Sequence, residues 1–344
     1  MDFEIKDGVL VKYHGNDAYI VIPDGVAKIG DHALEKCSSL KAVTIPDSVT
    51  EIGYEAFRGC TNLKSVTIPE NVTKIEHCAF HDCTSLESVI IPDSVTEIGG
   101  WVFEGCANLK SVTISESVTA IINRTVFHGT SWIESKRKEN PLVIINNILI
   151  DGETCSGDVI IPDGVTKISN KAFCDCPNLK SVTIPNSVTV IGNVAFDSCT
   201  NLESITIPDS MTIIGKGAFS DCRSLKSIKI PDSVTIIGDC TFDNCISLES
   251  IIIPDSVTTI CESAFDSCTS LESVTIPDSV TTIGDFAFYG CKSLKSITIP
   301  DSVKTIGKFA FESCKSLKSV TVSADTEIAI NAFKNCPLLK LHKI

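Results

Sequence analysis

The chain has 344 residues, a formal net charge of -14 and a pI near 4.9. Nucleic acids and anionic membrane surfaces attract basic protein faces, so this acidic balance argues against both as main partners. No run of eighteen apolar residues occurs, so no direct membrane insertion is expected, and residues 1–5 lack the basic and apolar regions of an export signal. A mature form or a fragment of a longer protein would begin in the same way.

Two similar apolar segments, each interrupted by turn residues, lie at the start of the chain and near its middle. Residues 5–11 match residues 144–150 at an offset of 139. Asp7-Gly8 and Asn146-Asn147 lie between runs rich in β-branched residues, and such pairs favour hairpin turns in which φ is positive. The sequence therefore predicts a β-hairpin at the start of each of two blocks.

An Ile-Pro dipeptide or its equivalent recurs along the chain. It falls at Ile22, Ile45, Ile68, Ile91 and Ile114, and then at Ile161, Ile184, Ile207, Ile230, Ile253, Ile276, Ile299 and Val322. The step within each series is 23 residues, and the step between the two series is 47, two periods plus one residue. The sequence therefore contains thirteen clear repeats and one degenerate repeat, which is the signature of a solenoid.

Local structure within one repeat follows from the spacing of its residues. Residues 66–68 alternate as a half-buried strand does, and residues 46–48, Pro-Asp-Ser, supply the turn that ends it. Residues 49–52 form a second short extended run. The apolar residues of 56–63 are three or four apart, which predicts a single helical or 3₁₀ turn.

Two apolar columns run through the repeats. Phenylalanine recurs at Phe57, Phe80, Phe103, Phe127, Phe173, Phe196, Phe219, Phe242, Phe265, Phe288, Phe311 and Phe333, and leucine at Leu40, Leu63, Leu86, Leu109, Leu179, Leu202, Leu225, Leu248, Leu271, Leu294, Leu317 and Leu339. No repeat could bury these groups alone, so each must cover the apolar face of its neighbour.

Residues 128–141 depart most from the repeat, and we expect them to contain a short helix. They hold Trp132, one of two tryptophans, near the basic triplet Lys136, Arg137 and Lys138. An aromatic residue near arginine is the composition that interface hot spots favour, so these four residues are candidate partner contacts. The alternative is a spacer helix whose tryptophan plugs a gap between two stacks, because an irregular turn must still protect its neighbours' apolar faces.

The chain has seventeen cysteines. Twelve of them occupy one column of the repeat: Cys37, Cys60, Cys83, Cys106, Cys176, Cys199, Cys222, Cys245, Cys268, Cys291, Cys314 and Cys336. A disulfide framework would have irregular spacings, and an odd count leaves a thiol unpaired. The column is therefore predicted to be buried and reduced, which fits either a cytosolic location or an anaerobic exterior.

Residues 60–80 resemble the bacterial leucine-rich repeats of the BspA-like (Treponema pallidum) type. The pattern of that family is C-x-x-L-x-x-I-x-I-P-x-x-V-x-x-I-G-x-x-A-F, and the segment matches it except for Glu76 at the glycine position. The resemblance covers almost the whole chain. It implies a curved right-handed solenoid of a kind often found in secreted or surface proteins that adhere to other macromolecules, and it implies no catalytic residues.

The expected fold is a leucine-rich-repeat right-handed solenoid, β-rich and of the α/β repeat class, with about fourteen turns, a 23-residue period and parallel strands on one face. The first block, residues 1–139, would contain the N-terminal hairpin and the junction helix. The second block, residues 140–344, would contain an internal hairpin. Because the repeat pattern runs through both blocks, we expect one continuous solenoid.

Few residues could carry chemistry. The six histidines have no serine or cysteine nucleophile motif around them. Residues 77–83 combine two histidines, two cysteines and an aspartate, which are zinc-ligand types, but Cys83 and Phe80 belong to core columns, so the side chains are expected to point in different directions. A row of acidic residues from Asp24 to Asp301 could hold calcium, yet one carboxylate per turn falls short of the oxygens that calcium needs. No catalytic residue, metal or cofactor is therefore predicted.

The outward positions of the predicted strands form a serine row and a threonine row. These rows are the candidate contact surface, represented by Ser65, Thr67, Ser181, Thr183, Ser204, Thr206, Ser273, Thr275, Ser296 and Thr298. Leucine-rich repeats often bind on this face, and a wide contact would gain from avidity. The other interpretation is that the hydroxyls keep a β-surface solvated, because the face lacks the Trp, Tyr and Arg anchors of tight interfaces.

Two functions of different class are compatible with these features. The first is a non-enzymatic bacterial adhesion or recognition module that binds a protein or glycan as a monomer. The second is a structural spacer or intracellular scaffold, supported by the missing export signal and the near-identity of the repeats. An enzyme is not expected. The resemblance implies a cell-surface or secreted protein, and a cytoplasmic location stays open.

Overall fold

The computed structural model describes residues 2–116, 118 and 123–343. The chain divides into two compact units, Met1–Asn146 and Asn147–Ile344, here called unit 1 and unit 2. Each unit is a β-solenoid in which a 23-residue repeat adds one turn, so the predicted fold class and period are confirmed. Residues 117 and 119–122 of the degenerate repeat lie outside the described residues. No helix in the described part of the chain is long and apolar enough to cross a membrane.

Strands supply nearly all of the regular structure. Unit 1 contains β1 (Phe3–Lys6), β2 (Val9–Tyr13), β3 (Tyr19–Val21), β4 (Lys28–Ile29), β5 (Ala42–Thr44), β6 (Glu51–Ile52), β7 (Ser65–Thr67), β8 (Lys74–Ile75), β9 (Ser88–Ile91), β10 (Glu97–Ile98), β11 (Ser111–Ile114), a 3₁₀ helix (Arg124–Phe127), α1 (Ser131–Glu139) and β12 (Val143–Ile145). Unit 2 contains β13 (Ile148–Asp151), β14 (Gly157–Ile160), β15 (Lys167–Ile168), β16 (Leu179–Thr183), β17 (Val190–Ile191), β18 (Ser204–Thr206), β19 (Ile213–Ile214), β20 (Ser227–Lys229), β21 (Ile236–Ile237), β22 (Ser250–Ile252), β23 (Thr259–Ile260), β24 (Ser273–Thr275), β25 (Thr282–Ile283), β26 (Ser296–Thr298), β27 (Thr305–Ile306), β28 (Ser319–Val322), β29 (Glu327–Ile328) and β30 (Lys340–Lys343).

The Ser-x-Thr segments of successive repeats pair in parallel and form what we call the main sheet of each unit. In unit 1 its order is β11-β9-β7-β5-β3, and Ser65 of β7 lies opposite Ser88 of β9, one repeat away. In these strands the middle residue is buried and both neighbours are exposed, as at Val66. Strand alternation therefore sends one side chain into the core and two outward.

The second extended runs of successive repeats also pair with one another, so the solenoid has a second sheet besides the predicted strand face. These two-residue strands form a second sheet, with the order β2-β4-β6-β8-β10 in unit 1 after the N-terminal strand β1. Strand β1 pairs with β2 in antiparallel fashion, and Asp7 and Gly8 between them have φ of 51° and 76°, so the first predicted hairpin is confirmed. Asn146 and Asn147, between β12 and β13, also have positive φ.

The segment after the second sheet is predicted to be a single helical or 3₁₀ turn. The repeat of Phe127 has a 3₁₀ helix there, Arg124–Phe127, but in the other repeats the structure corrects the prediction to a series of β-turns. Outside the repeat of Phe127, two residues four apart have positive φ in each repeat, such as Glu55 at 52° and Gly59 at 69°. Residues with a left-handed backbone conformation interrupt a helix. The backbone N–H groups of this segment therefore alternate between acceptors in their own turn and acceptors in the next repeat. Cys60 donates to Phe57 in its own turn at 3.1 Å, whereas Phe57 donates to Ala79 of the next repeat at 2.7 Å.

The predicted apolar columns form the core of each unit. Successive phenylalanine rings from Phe57 to Phe127 lie 5.0 to 5.7 Å apart, and those from Phe173 to Phe333 lie 4.9 to 5.6 Å apart, with nearly parallel planes. Leucines of the second column, such as Leu248, are fully buried. Each ring is covered on both sides only because its neighbours are present.

All seventeen cysteines are free thiols, and twelve of them are buried. In the predicted column Cys37 and Cys336 are partly exposed, because they lie near the ends of their stacks, and the other ten are buried. The column is therefore part of the core, as the sequence predicts.

Both sheets of unit 2 are interrupted between the same two repeats. The main sheet breaks between β18 and β20, and the second sheet breaks between β19 and β21. The N–H of Thr212 donates to Thr189, and that of Thr258 to Thr235, both at 2.9 Å, but within the described residues Thr235 makes no such bond to Thr212. We call this interruption the seam.

The space around the glycine that follows the second sheet shows the seam independently of the hydrogen bonds. A Cβ added to Gly215 or Gly284 would lie within 2.7 Å of the preceding repeat's backbone. At Gly238 the nearest atom of the preceding repeat, the Lys216 Cα, would be 3.7 Å away. On the turn side the same repeats stay joined, since Phe219 donates to Thr241 at 2.9 Å.

Candidate functional site

The structure places all ten predicted hydroxyl residues on the outer surface of the main sheets. Nine are exposed and Ser181 is half-buried, donating to Asp158 at 2.6 Å. Neighbouring repeats bring like residues together, since Ser273 lies opposite Ser296 and Thr275 opposite Thr298. Like residues of the predicted rows therefore lie side by side on neighbouring strands.

Exposed aliphatic residues interrupt the threonine rows. Ile90 is 59% exposed in unit 1, and Ile160 and Ile252 are 74% and 75% exposed in unit 2. Each occupies the position that threonine holds in an adjacent strand, as the pairing of Ile252 with Thr275 shows. The strand face thus offers methyl groups among hydroxyls, a mixture that suits a broad contact of modest energy.

A shallow depression of about 570 Å³ lies on the main sheet of unit 2. Serines and glutamates line it, among them Ser250, Ser273, Glu249 and Glu272. Hydroxyls can donate and accept, and carboxylates accept, so this lining matches a ligand rich in hydroxyl or amide groups.

The junction is a helix, α1, whose tryptophan faces inward. Trp132 is 7% exposed, and its ring lies 4.7 Å from that of Phe127, the last phenylalanine of unit 1. Lys136 pairs with Glu139 at 2.8 Å, and Arg137 with Glu134 at 2.7 Å. The structure therefore separates the four predicted contact residues: the tryptophan belongs to the core, and two of the three cations are paired along the helix.

The turn segments of unit 1 carry a surface that the sequence analysis did not identify. Tyr54 and Trp101 are each 40% exposed, and Arg58 and His77 lie on the same series of turns. We call these four residues the turn face of unit 1. Tyr, Trp and Arg are the side chains most frequent in interface hot spots. These positions vary most between repeats, and this variation is the sequence signal that could have indicated the turn face. The consensus residues indicate the strand face instead.

Three metal-ligand side chains from two repeats converge beside this face. His32 Nδ1 lies 3.1 Å from Glu35 Oε2 and 3.4 Å from Glu55 Oε2. The three ligand atoms lie within 4.8 Å of one another, and within the described residues this is the one group of three or more metal-type residues that comes so close. The sequence pattern does not indicate this group, because residues 32 and 55 meet only across a repeat boundary.

Two cations hold the carboxylates of this trio. A hydrogen bond from Lys36 is the main cause that lowers the pKa of Glu35. Burial opposes ionisation of Glu55, but hydrogen bonds from Arg58 and Tyr54 outweigh it, so the pKa of Glu55 is also below its usual value. Both carboxylates are therefore anionic at neutral pH.

The histidine, cysteine and aspartate side chains of residues 77–83 do not converge on one point. His77 Nδ1 accepts the N–H of Gly100 at 2.8 Å, and His81 contacts Glu104 at 3.3 Å. Cys83 is fully buried and donates to the carbonyl of Phe57 at 3.2 Å. The side chains have separate partners, which agrees with the expectation that they point in different directions.

A row of half-buried aspartates follows the phenylalanines of unit 2. Burial is the first cause that raises the pKa of Asp243, to about 6, and the nearby carboxylates Asp266 and Asp221 add to it. Burial also raises the pKa of Asp197 and Asp266. Partial burial of these acids, with a neighbouring carboxylate one repeat away as at Asp243 and Asp266, favours the neutral form.

A groove of about 430 Å³ lies along the seam of unit 2. Its lining includes Ile213 and Ile236, which are 55% and 50% exposed, and the ion pair of Lys216 with Asp239 at 2.7 Å. The groove occupies the place where the second sheet is interrupted.

The family model for the BspA-type leucine-rich repeat region, in six copies, matches residues 11–136, 144–268 and 235–344. The chain belongs to this family. A leucine-rich repeat protein from Eubacterium ventriosum is 26% identical, with a TM-score of 0.58 over 89% of this chain and 88% of that one.

Two further solved structures of leucine-rich repeat proteins are similar in sequence. A leucine rich cell surface protein from Faecalibacterium prausnitzii is 32% identical over 79% of this chain and 92% of its own, with a TM-score of 0.42. The T. pallidum leucine rich repeat protein is 27% identical over 65% of this chain and 86% of its own, with a TM-score of 0.33. No curated protein matches the chain.

The BspA-type assignment agrees with what the surfaces offer. Leucine-rich-repeat proteins in general recognise other proteins, and a non-enzymatic binding role fits this chain. The surfaces described above are broad and shallow, as binding surfaces of solenoids are.

Proposed function

We propose that this BspA-type protein is a recognition module at a bacterial cell surface or outside the cell, and that it binds a protein or glycan partner through its main sheets. The observation that carries the proposal is the in-register array of exposed hydroxyls, as at Ser273, Ser296, Thr275 and Thr298. Such an array gains energy from many weak contacts repeated at strand spacing, so no single aromatic anchor is required.

The depression beside Ser273 is the strongest local candidate on this surface. Its serines and glutamates could bind the hydroxyl groups of a sugar or the amides of a polypeptide. A monomer with one such face would bind weakly, and a partner with repeated groups would bind through avidity.

The contact surface is tested with a matched pair of variants. In the first, Thr275→Lys and Thr298→Lys place bulky charges on the main sheet of unit 2. In the control, Thr258→Lys and Thr281→Lys place the same charges at exposed positions beside the second sheet. Binding to arrays of immobilised glycans and purified secreted proteins should be lost in the first variant and kept in the control. Equal binding by both variants would place the contact elsewhere.

Location is tested by protease shaving of intact cells that produce the protein. Release of fragments of this chain is expected for a surface protein. Protection of the whole chain would favour the structural spacer or intracellular scaffold instead.

A further inference from the structure

The trio of His32, Glu35 and Glu55 has the geometry of a divalent metal site. Ligand atoms at about 2.1 Å from a metal ion and separated by the observed 3.1 and 3.4 Å would subtend angles of roughly 95° and 110° at the metal. These angles lie between octahedral and tetrahedral values. One ion could therefore contact all three atoms after small side-chain movements.

The surroundings of the trio orient its ligands. Arg58 donates to both carboxylate oxygens of Glu55 at 2.9 Å, and Lys36 contacts Glu35 Oε1 at 3.1 Å, which leaves Glu35 Oε2 facing His32. Contacts of this kind fix the direction of ligating groups. The same two cations offset the carboxylate charge, so the affinity is expected to be moderate.

We propose that His32, Glu35 and Glu55 bind one borderline divalent metal ion, such as Zn²⁺ or Co²⁺. An imidazole nitrogen with carboxylate oxygens suits these ions better than Mg²⁺ or Ca²⁺, which prefer oxygen alone. The His32 side chain is 45% exposed, so water can complete the coordination. The site lies on the turn side of unit 1 and does not depend on the proposed strand-face contact.

Cobalt titration of the whole reduced chain tests the site, because the absorption of Co²⁺ reports its ligands. We expect one Co²⁺ per chain, with visible bands of a nitrogen and oxygen site and without the near-ultraviolet bands of thiolate ligands. His32→Asn and Glu35→Gln should each weaken binding about tenfold or more. Asparagine tolerates the φ of 57° at residue 32, so the backbone should be preserved.

His128→Asn is the matched control, because His128 lies on the same side of unit 1 and contacts Glu104 instead of the trio. It should bind Co²⁺ as the parent chain does. Absence of binding, binding that His32→Asn leaves unchanged, or thiolate bands would each overturn the proposal. Equal melting temperatures of the metal-free variants would show that losses come from the ligands.

The seam of unit 2 carries a second and independent inference. We infer that it is a hinge, at which the repeats of residues 207–229 and 230–252 open on the side of the two sheets. The turn side would act as the pivot, since Phe219 and Phe242 stack at 5.6 Å and Cys245 donates to the carbonyl of Phe219 at 3.1 Å.

Two side chains at the seam depart from the repeat. Met211 replaces the valine of this core column and is fully buried, and Thr241 replaces the usual alanine and is 1% exposed. Larger residues in a well-packed stack force neighbouring elements apart. The hydroxyl of Thr241 donates to Gly238 at 2.9 Å, so its polar atom has a hydrogen-bond partner within its own repeat.

Hydrogen exchange tests the hinge at single amides. In the parent chain the N–H groups of Thr235 and Gly238 should exchange at least tenfold faster than those of Thr258 and Cys261, which bond to the preceding repeat at 2.9 Å. Exchange as slow as at the reference amides would overturn the hinge.

Two double variants test whether Met211 and Thr241 cause the seam. Met211→Val with Thr241→Ala should slow exchange at Thr235 and Gly238 to the reference rate. Val257→Met with Ala287→Thr places the same pair, 30 residues apart, two repeats further along, and should accelerate exchange at Thr281 and Gly284. No change in either double variant would contradict the assignment of Met211 and Thr241 as the cause.

Discussion

The sulfur of Cys245 lies 3.1 Å from the carbonyl oxygen of Phe219, one repeat earlier, and the same oxygen accepts the N–H of Cys222 at 3.2 Å. The pattern recurs along the column, as at Cys268 and Phe242. Eleven of the twelve cysteines of the column, all but Cys37, thus donate a weak hydrogen bond to a backbone carbonyl of the preceding turn. A valine or leucine at this position would also fill space in the core, but its side chain has no S–H group and could not donate this hydrogen bond.

The cysteines should react in two groups. Five partly exposed thiols, such as Cys78 and Cys261, should react with a thiol reagent in the native protein, and the twelve buried thiols only after denaturation. Burial raises the pKa of Cys245, which keeps the reactive thiolate scarce. Time-resolved counting of modified groups measures both classes. Immediate modification of most thiols would show that the column is accessible.

Truncation of a central ring should be costly. Phe242 is fully buried between Phe219 and Phe265, at 5.6 and 5.4 Å, so Phe242→Ala leaves a cavity with no mobile neighbour to fill it. We expect a loss of ~3–5 kcal/mol in the free energy of unfolding, measured by urea denaturation. A loss below about 1 kcal/mol, the level of a surface change, would mean that the column does not stabilise the fold.

Replacement of Val194 by asparagine should stabilise the protein. Its φ is 48°, a region that β-branched residues avoid, whereas Asn331 occupies the corresponding position of another repeat with φ of 61°. Val194→Asn should raise the free energy of unfolding by about 1 kcal/mol, because relief of the backbone strain outweighs the packing that the half-buried side chain loses. Thermal unfolding measures the change, and a lower melting temperature would contradict it.

The junction helix should respond differently to two sets of substitutions. Trp132→Ala should lower the melting temperature of the chain, because it uncovers Phe127 at the end of the unit 1 stack. Alanine at Lys136, Arg137 and Lys138 should cost less, since the exposed pair of Lys136 with Glu139 is worth only about 0.3–0.5 kcal/mol. If the triple variant abolishes binding in the array assay without loss of stability, the basic face is a partner contact.

Acid should stabilise unit 2 through Asp243. Its folded pKa of about 6 lies above the ~3.9 of an unfolded aspartate, so the folded state binds more protons between these values and stability falls as pH rises from about 4 to 6. Asp243→Asn should therefore stabilise the chain by about 1 kcal/mol at pH 7.5, after allowance for solvent screening of a half-buried group, and by little at pH 4.

The exposed Asp255 provides the control for this experiment. Asp255→Asn should leave the pH dependence of urea denaturation unchanged. A parent chain whose stability is flat between pH 4 and 6, with no gain from Asp243→Asn, would show that the carboxyl is not strained by burial.

The sequence alone predicted the repeat, the columns and the outward rows, because a fixed 23-residue period forces equivalent residues into the same environment. Phe242 and Cys245 could be assigned to the core by this argument, and Ser273 and Thr275 to the surface. The departure of residues 128–141 from the repeat also led us to expect a helix at the junction, although the inward direction of Trp132 required the coordinates. The helical turn near Phe57 was wrong, since a spacing of three or four also fits successive β-turns.

Tertiary structure decided what depends on contacts between different positions of neighbouring repeats. His32 meets Glu55 because turn segments stack with a backbone of positive φ, which a consensus pattern does not encode. The seam likewise depends on contacts between repeats, since it is visible only as the interruption of both sheets. Met211 and Thr241, to which we attribute it, look conservative in sequence, yet in a close-packed column extra volume is passed to the next repeat.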